Sequence, residues 1–175
     1  ENNIVFQKQI KEFSPSFSVF RNKKKKEKLQ KENPSISFVN SELELLQKSK
    51  FDILILANYG KEVFSCCEYA LKKGKRVALA SKEILVSHGL EIQKLLLQDK
   101  SLLFPLDSEI FALWKCLEGR EKKNIHKIIL TGSGGPFLNK EQYPKSSFNT
   151  FTPNQAISHP KWSMGKKISL DSATL

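Results

Sequence analysis

The sequence is poor in the features that mark several classes of protein. Its three cysteines, Cys66, Cys67 and Cys116, match no metal-ligand spacing. Adjacent cysteines make poor disulfide partners, so we expect free thiols and a reducing, cytoplasmic compartment. No apolar run approaches the roughly 20 residues of a membrane span, and we therefore expect no membrane partner.

Positive charge is abundant, with a formal net charge of +11, but it is concentrated in one segment. Residues 21–31 hold seven basic residues and one acid, and the rest of the chain carries +5. Such a run is typical of a solvated helix face, and it lacks the interleaved aromatic residues of a single-strand binding surface. We therefore expect no nucleic-acid partner. Phosphate groups of small ligands account for part of the positive balance.

Short apolar runs alternate with amphipathic stretches through the first half of the chain. The runs predict strands at residues 17–20, 36–39, 51–57, 76–80 and 102–106, and the stretches predict helices at 22–31, 41–48, 61–73 and 87–97. Strands that alternate with helices form parallel βαβ units, so the predicted fold is α/β with a doubly wound, mostly parallel sheet. The nearly continuous apolar run at 51–57 is typical of a central strand. Two further strands are predicted at 125–130 and 167–170.

Two carboxylates flank a serine in Asp107-Ser108-Glu109, directly after the predicted strand that ends at Leu106. In extended backbone, residues i and i+2 project to the same side, and ligands bind beyond the carboxyl ends of strands in open α/β sheets. Paired carboxylates at such a place suit Mg²⁺ or Mn²⁺. The alternative is a helix N-cap formed by Asp107 or Ser108. Both interpretations can hold together.

Four separated strings resemble one enzyme family in their order and spacing. They are Ala-Leu-Ala-Ser-Lys-Glu-Ile-Leu-Val at 78–86, Pro-Leu-Asp-Ser-Glu at 105–109, Leu-Thr-Gly-Ser-Gly-Gly-Pro-Phe at 130–137, and the 17-residue string from His159 to Leu175. The sequence resembles the 1-deoxy-D-xylulose 5-phosphate reductoisomerase family, sharply from about Arg76 onward and diffusely before it. The last string is too long and unusual for a chance match.

The resemblance implies an oxidoreductase of non-mevalonate isoprenoid biosynthesis. Its substrate would be a phosphorylated sugar, 1-deoxy-D-xylulose 5-phosphate, which it converts into 2-C-methyl-D-erythritol 4-phosphate with NADPH and Mg²⁺ or Mn²⁺. Residues 1–106 would be a partial, Rossmann-like NADPH-binding domain, and residues 107–175 the start of an α+β catalytic domain. The family's usual homodimer would be the state of the full-length protein.

The resemblance also implies roles for individual residues. Asp107 and Glu109 would hold the metal, and Lys82 would polarise substrate oxygens. The other implied substrate contacts are Ser108, Glu109, Ser133, His159, Trp162 and Ser172, with Ser133 and Ser172 at the phosphate end. The implied cofactor contacts are Ser81, Glu83 and Gly165. The sequence departs from the family at Ser81, where asparagine is common, and at Ile110 and Phe111, where histidine and a small polar residue are usual.

Two features of the family are missing from the sequence. We see no glycine-rich dinucleotide turn near the start, and the family's Asn-Lys pair and third metal-binding glutamate, which follow the Asp-Ser-Ala-Thr string, are not present. The sequence therefore predicts an internal fragment that is inactive alone. Two other functions stay open, namely another NAD(P)-dependent α/β dehydrogenase that needs no metal, and a degenerate, non-catalytic binding module.

Overall fold

The chain forms two compact units, residues 1–110 and 111–175. The structure, a computed structural model, describes residues 3–58, 60–97, 99, 102–131, 135–137, 150–160, 165, 166, 169 and 170. Five strands alternate with helices in the first unit, and the helix that follows the fifth strand continues into the second unit. The elements are α1 (Asn3–Phe13), β1 (Phe17–Val19), α2 (Lys23–Glu32), β2 (Ser37–Val39), α3 (Glu42–Lys48), β3 (Ile53–Leu56), α4 (Glu62–Lys72), β4 (Arg76–Leu79), α5 (Glu83–Leu95), β5 (Leu103–Pro105), α6 (Ser108–Leu117) and α7 (Pro153–Ala156).

Local sequence explains where several of these helices begin and end. The side chains of Asn22 and Ser41 accept hydrogen bonds from backbone N–H groups in the first turns of α2 and α3, as N-cap residues do. After α4, Gly74 has a φ of +64°, a left-handed conformation that glycine adopts without steric cost. These signals confirm the predicted helices at 22–31, 41–48 and 61–73 to within a residue or so.

The strands form two parallel sheets, which confirms the α/β class. One sheet pairs β1 with β2, and the other has the order β3-β4-β5. The register places Ile53 opposite Arg76 and Leu79 opposite Pro105. Consecutive parallel strands joined by helices are the pattern of a doubly wound fold.

The prediction that residues 51–57 form a central strand is wrong for the part of the chain that the structure describes. There, β3 pairs only with β4 and is an edge strand, while β4 is central. The side chains of Ile53 and Ile55 are 54% and 64% exposed, whereas Val77 of β4 is fully buried. An apolar run indicates that a strand favours burial, but whether the strand is central depends on neighbouring strands that are distant in the sequence.

The edge of β3 that pairs with no other described strand leads to a prediction about association. An apolar, unpaired strand edge is a template for pairing with another chain, and a lysine placed on it opposes that pairing. We expect Ile55→Lys to lower self-association of the chain several-fold in sedimentation velocity. Val86→Lys is the matched control, because Val86 is 92% exposed on helix α5 rather than on a strand edge. Equal effects of the two variants would contradict the role of the β3 edge.

Two hydrophobic cores stabilise the first unit. The larger one lies between the three-stranded sheet and helices α3 to α5, and its members include Val63, Cys67, Ala70, Val77 and Leu79. The smaller one packs α1 and α2 against β1 and β2, with Ile10, Phe20, Leu29, Ile36 and Phe38. Burial raises the pKa of the Cys66 and Cys67 thiols to about 11, which keeps them protonated and unreactive. All three cysteines are free.

The second unit has little regular structure among its described residues. Residues 125–130 form no strand, so that prediction is wrong, and Ile128, Ile129 and Leu130 are 57–68% exposed. At 167–170, the described residues Ser169 and Leu170 are helical, and the Ser169 N–H donates to the Gly165 carbonyl (3.0 Å). A strand needs a partner strand, and β-propensity alone does not supply one. Within the described residues, no helix is both long and apolar enough to cross a membrane.

Candidate active site

Lys82 and Asp107 emerge from the same edge of the sheet because the strands before them are parallel neighbours. Leu79 ends β4 and lies opposite Pro105, which ends β5. The backbone continues the pairing by one residue, since the Leu106 N–H donates to the Leu79 carbonyl (2.8 Å). Helix α5 begins directly after Lys82, and helix α6 begins directly after Asp107. Both side chains therefore lie at the carboxyl edge, where open α/β sheets bind their ligands.

The structure brings the predicted lysine and both predicted carboxylates together. Lys82 Nζ donates to Glu109 Oε2 at 2.9 Å and lies 3.8 Å from Asp107 Oδ2. The side chain of Asp107 is only 8% exposed and that of Glu109 23%, whereas Lys82 is 44% exposed. Two sheltered carboxylates thus share one cation that solvent can still reach.

Each carboxylate also accepts a hydrogen bond from a residue nearby in the sequence. Asp107 Oδ2 accepts the Ile110 N–H at 3.1 Å, which confirms the N-cap interpretation for α6. Ser108 Oγ donates to Glu109 Oε2 at 3.1 Å. Within the described part of the chain, Asp107 Oδ1 accepts no hydrogen bond. The cap therefore fixes Asp107 while leaving it an oxygen for a ligand.

The ion pair shifts the pKa of both partners toward the charged forms. The hydrogen bond from Lys82 lowers the pKa of Glu109 more than its partial burial raises it. Partial burial acts to lower the pKa of Lys82, but the hydrogen bond to Glu109 and the charges of Glu109, Asp107 and Glu83 outweigh it and raise that pKa. Lysine and glutamate are both ionised at neutral pH in this arrangement.

The two carboxylates suit a hard divalent cation whose remaining ligands are water molecules or substrate oxygens. Mg²⁺ binds proteins through one or two carboxylates and completes its octahedron with waters and substrate oxygens. Asp107 and Glu109 supply two such carboxylates, and Asp107 Oδ1 accepts no hydrogen bond from the described residues. Among the residues that the structure describes, no group of three or more His, Cys, Asp or Glu side chains is placed to hold a metal. The pair fits Mg²⁺ or Mn²⁺, but it would hold either one weakly.

Ser81 and Glu83 flank Lys82, and the structure gives them different surroundings. Ser81 is 7% exposed, and its hydroxyl donates to the main-chain carbonyls of Leu56 (3.2 Å) and Asn58. Its N–H also donates to the Leu56 carbonyl (3.1 Å). Ser81 thus ties the end of β4 to the segment after β3. Glu83 opens α5, where a carboxylate interacts favourably with the helix dipole.

The remaining predicted site residues all lie between residues 111 and 175. His159, which is partly buried, and Gly165, which is exposed, lie in the second unit. Ser133, Trp162 and Ser172 lie outside the described residues. Ile110 and Phe111, the two departures beside the carboxylates, are 39% and 41% exposed on α6.

A second charged cluster lies at the carboxyl ends of β1 and β3, and the sequence reasoning missed it. Arg21 Nη2 donates to both carboxylate oxygens of Glu42 (3.0 and 2.8 Å) and lies 3.6 Å from Glu62 Oε1. These three side chains line a cavity of about 300 Å³ together with Asn58, Gly60, Lys61 and Val63. The signal that could have revealed it is a basic residue directly after a strand, as with Lys82.

Glu62 is the member of this cluster that destabilises the chain at neutral pH. Its Oε2 is buried and accepts no hydrogen bond within the described part of the chain. The neighbouring Glu42 carboxylate, which accepts a hydrogen bond from a protonated Glu62, raises the pKa of Glu62, and burial adds to the shift. The folded chain therefore binds the Glu62 proton more tightly than the unfolded chain does. Protonated Glu62 adds to the free energy of unfolding at low pH, and this contribution is lost as pH rises above about 4.5.

Glu62→Gln is therefore expected to stabilise the chain near pH 7. The amide donates to Glu42 without a charge, and we expect a gain of about 0.5 kcal/mol in the free energy of unfolding, kept small because Glu62 is 44% exposed. Urea denaturation near pH 7 and near pH 4 measures it, and the gain should vanish at the lower pH. Glu68→Gln is the control, since Glu68 is paired with Lys72 on α4. A loss of stability at pH 7 would contradict the pKa direction.

Family models match both parts of the chain. The model described as 1-deoxy-D-xylulose 5-phosphate reductoisomerase matches residues 1–89, and the one described as the C-terminal domain of this enzyme matches residues 103–175. Curated relatives of the same name include one from Thermoanaerobacter pseudethanolicus, 38% identical over 99% of this chain and 46% of that protein. One from Desulfosudis oleivorans is 48% identical over 71% of this chain and 32% of that protein. The chain thus spans about half the length of the curated relatives it matches.

Solved structures show the same likeness. A crystal structure of DOX-P reductoisomerase in complex with NADPH, fosmidomycin and magnesium aligns with a TM-score of 0.79 at 28% identity, covering 97% of this chain and 45% of that one. The Zymomonas mobilis 1-deoxy-D-xylulose 5-phosphate reductoisomerase in complex with NADPH aligns with a TM-score of 0.75 at 30% identity, covering 95% of this chain and 43% of that one.

Proposed function

We propose that this chain, which belongs to the 1-deoxy-D-xylulose 5-phosphate reductoisomerase family, forms part of the active site of an NADPH-dependent enzyme that converts 1-deoxy-D-xylulose 5-phosphate into 2-C-methyl-D-erythritol 4-phosphate. The observation that carries the proposal is the meeting of Lys82 with Asp107 and Glu109 at the carboxyl ends of two adjacent parallel strands. The solved structure with NADPH, fosmidomycin and magnesium supports this choice of cofactors. Residues 1–106 would belong to the cofactor domain and residues 107–175 to the catalytic domain.

Asp107 and Glu109 are the residues that would hold Mg²⁺ or Mn²⁺. When bound, the cation supplies Lewis-acid polarisation of the substrate carbonyl and a template for the adjacent hydroxyl. Asp107 is fixed for this task by its cap bond to the Ile110 N–H, and Glu109 by the Ser108 hydroxyl. The chain thus presents two oriented carboxylates before any ligand arrives, which reduces the ordering that binding requires.

Lys82 and Ser108 are the proposed substrate contacts at this edge. The Lys82 ammonium carries three hydrogen-bond donors, and its side chain is 44% exposed, so a substrate can approach it. Its raised pKa keeps it charged, so it would stabilise negative charge that develops on those oxygens. We propose that Ser133 and Ser172 bind the phosphate end of the substrate. His159 would contact the substrate, and Trp162 would cover it.

Ser81, Glu83 and Gly165 are the proposed cofactor contacts, and NADPH supplies the hydride. Because the Ser81 hydroxyl is already bonded to the carbonyls of Leu56 and Asn58, we propose that Ser81 acts by fixing the segment after β3 at the cofactor edge. The family's common asparagine would have a second polar group to offer there. We also propose a cytoplasmic location, consistent with three free thiols, and a homodimeric full-length protein.

The proposal is tested by identifying the product. The full-length protein that contains this chain would be incubated with 1-deoxy-D-xylulose 5-phosphate, NADPH and Mn²⁺, and the product followed by NMR. Formation of 2-C-methyl-D-erythritol 4-phosphate is expected. Binding of NADPH without any turnover would instead indicate the non-catalytic binding module, and oxidation of NADPH with a different product another dehydrogenase. Residues 1–175 alone are expected to show no steady turnover.

A further inference from the structure

The Lys82 ammonium lies beside both carboxylates that are proposed to hold a metal ion. Its ammonium lies 2.9 Å from Glu109 Oε2 and 3.8 Å from Asp107 Oδ2, so it already neutralises part of their charge. We propose that the Lys82 ammonium and the divalent cation compete for the Asp107–Glu109 pair, so that cation binding releases Lys82 toward the substrate. This inference rests on the proposed function, because the metal role of the pair is part of it.

The charge at the site sets the strength of this competition. A cation that approaches the pair meets two negative charges and the positive charge of Lys82 beside them. A unit and a double positive charge about 5 Å apart repel each other enough to weaken binding about tenfold, even at the dielectric constant of water. The lower polarity beside a sheltered carboxylate such as Asp107, 8% exposed, increases this repulsion.

Lys82 is the partner that can move. Asp107 is held by the Ile110 N–H, and Glu109 by the Ser108 hydroxyl, and both carboxylates are more sheltered than the lysine. The Lys82 ammonium stands on a flexible four-carbon stem that is 44% exposed. It can therefore swing away from Glu109 by side-chain rotation alone, while the carboxylates stay in place for the cation.

The competition would impose an order on binding. Before the cation binds, the lysine is engaged by Glu109 and is poorly available to a substrate oxygen. After the cation takes over the carboxylates, the ammonium loses its partner and is free to donate to the substrate. The opposite role for Lys82 is to hold the carboxylates in position for the cation, and in that case its removal would weaken metal binding.

Titration of the metal-free chain with Mn²⁺, followed by the electron paramagnetic resonance of free Mn²⁺, separates the two roles. We expect Lys82→Gln to tighten the Mn²⁺ dissociation constant at least about tenfold. Lys72→Gln is the matched control, because Lys72 pairs with Glu68 on α4 at 2.8 Å, and it should leave the constant unchanged. An unchanged or weaker constant for Lys82→Gln, with binding that is lost in Asp107→Asn, would overturn the competition and leave the proposed metal pair intact. Absence of Mn²⁺ binding in every variant would overturn both.

A second measurement uses the unmodified chain and does not depend on how a variant folds. Acylation of lysines by acetic anhydride, read out by peptide mass spectrometry, reports how accessible each amine is to the reagent. Addition of Mg²⁺ is expected to increase labelling of Lys82 and to leave Lys72 unchanged. Labelling of Lys82 that stays constant or falls on addition of Mg²⁺ would contradict the release of its ammonium.

Discussion

Asp107→Asn in the full-length protein is expected to lower kcat/KM at least about a hundredfold. The substitution keeps the shape of the side chain and its ability to cap α6, because asparagine is as good an N-cap as aspartate. It removes the negative charge that we assign to metal binding. The expected loss therefore separates the two roles of Asp107, and the steady-state rate of NADPH oxidation measures it.

Two comparisons make the Asp107 result specific. Glu118→Gln, which removes an exposed carboxylate paired with Lys115, should leave kcat/KM within about twofold, since single surface ion pairs contribute little. Thermal unfolding of Asp107→Asn should stay close to that of the unmodified protein, because the cap bond to the Ile110 N–H is retained. Full activity in Asp107→Asn would show that Asp107 is a helix cap and no more.

Leu79→Ala is expected to lower the free energy of unfolding of the chain by about 3 kcal/mol. Leu79 is 2% exposed, lies on the central strand β4, and belongs to the larger hydrophobic core. Removal of its side chain leaves a cavity that two flanking strands and the helices cannot fill without moving. Urea denaturation, with the midpoint and slope fitted separately, measures the loss.

The matched control for Leu79 lies on the neighbouring strand. Ile55→Ala on β3 also shortens an aliphatic side chain, but Ile55 is 64% exposed, so we expect a loss below about 1 kcal/mol. A large loss at Ile55 and a small one at Leu79 would contradict the assignment of β4 as the central strand and β3 as the edge.

The sequence was sufficient to predict that Asp107 and Glu109 lie together at the carboxyl end of a strand, and the structure adds Lys82 at the same edge. Each of them follows a short apolar run, and the carboxyl ends of parallel strands share one edge of a sheet. The register that places Leu79 opposite Pro105 brings the ends of β4 and β5 together. The N-cap and the metal interpretation of Asp107 stayed open in the sequence. The structure confirms the cap, and no described residue donates to Asp107 Oδ1.

Other features could not be predicted because they depend on partners that are distant along the chain. The run at 51–57 is apolar enough for a central strand, yet Ile53 and Ile55 are exposed for want of a second neighbour among the described strands. Residues 125–130 are rich in isoleucine, yet they form no strand. The place of Arg21 after a strand marks a candidate site, but no local pattern reveals that Glu42 and Glu62, which are distant along the chain, are its partners.

If Asp107 and Glu109 form a catalytic metal pair, turnover must depend on a divalent cation. NADPH oxidation would be followed in the full-length protein with 1-deoxy-D-xylulose 5-phosphate, first after depletion of metal with EDTA and then after addition of excess Mn²⁺. We expect no turnover in EDTA and full recovery with Mn²⁺. Turnover that continues undiminished in EDTA would contradict the assignment of Asp107 and Glu109 as a catalytic metal pair.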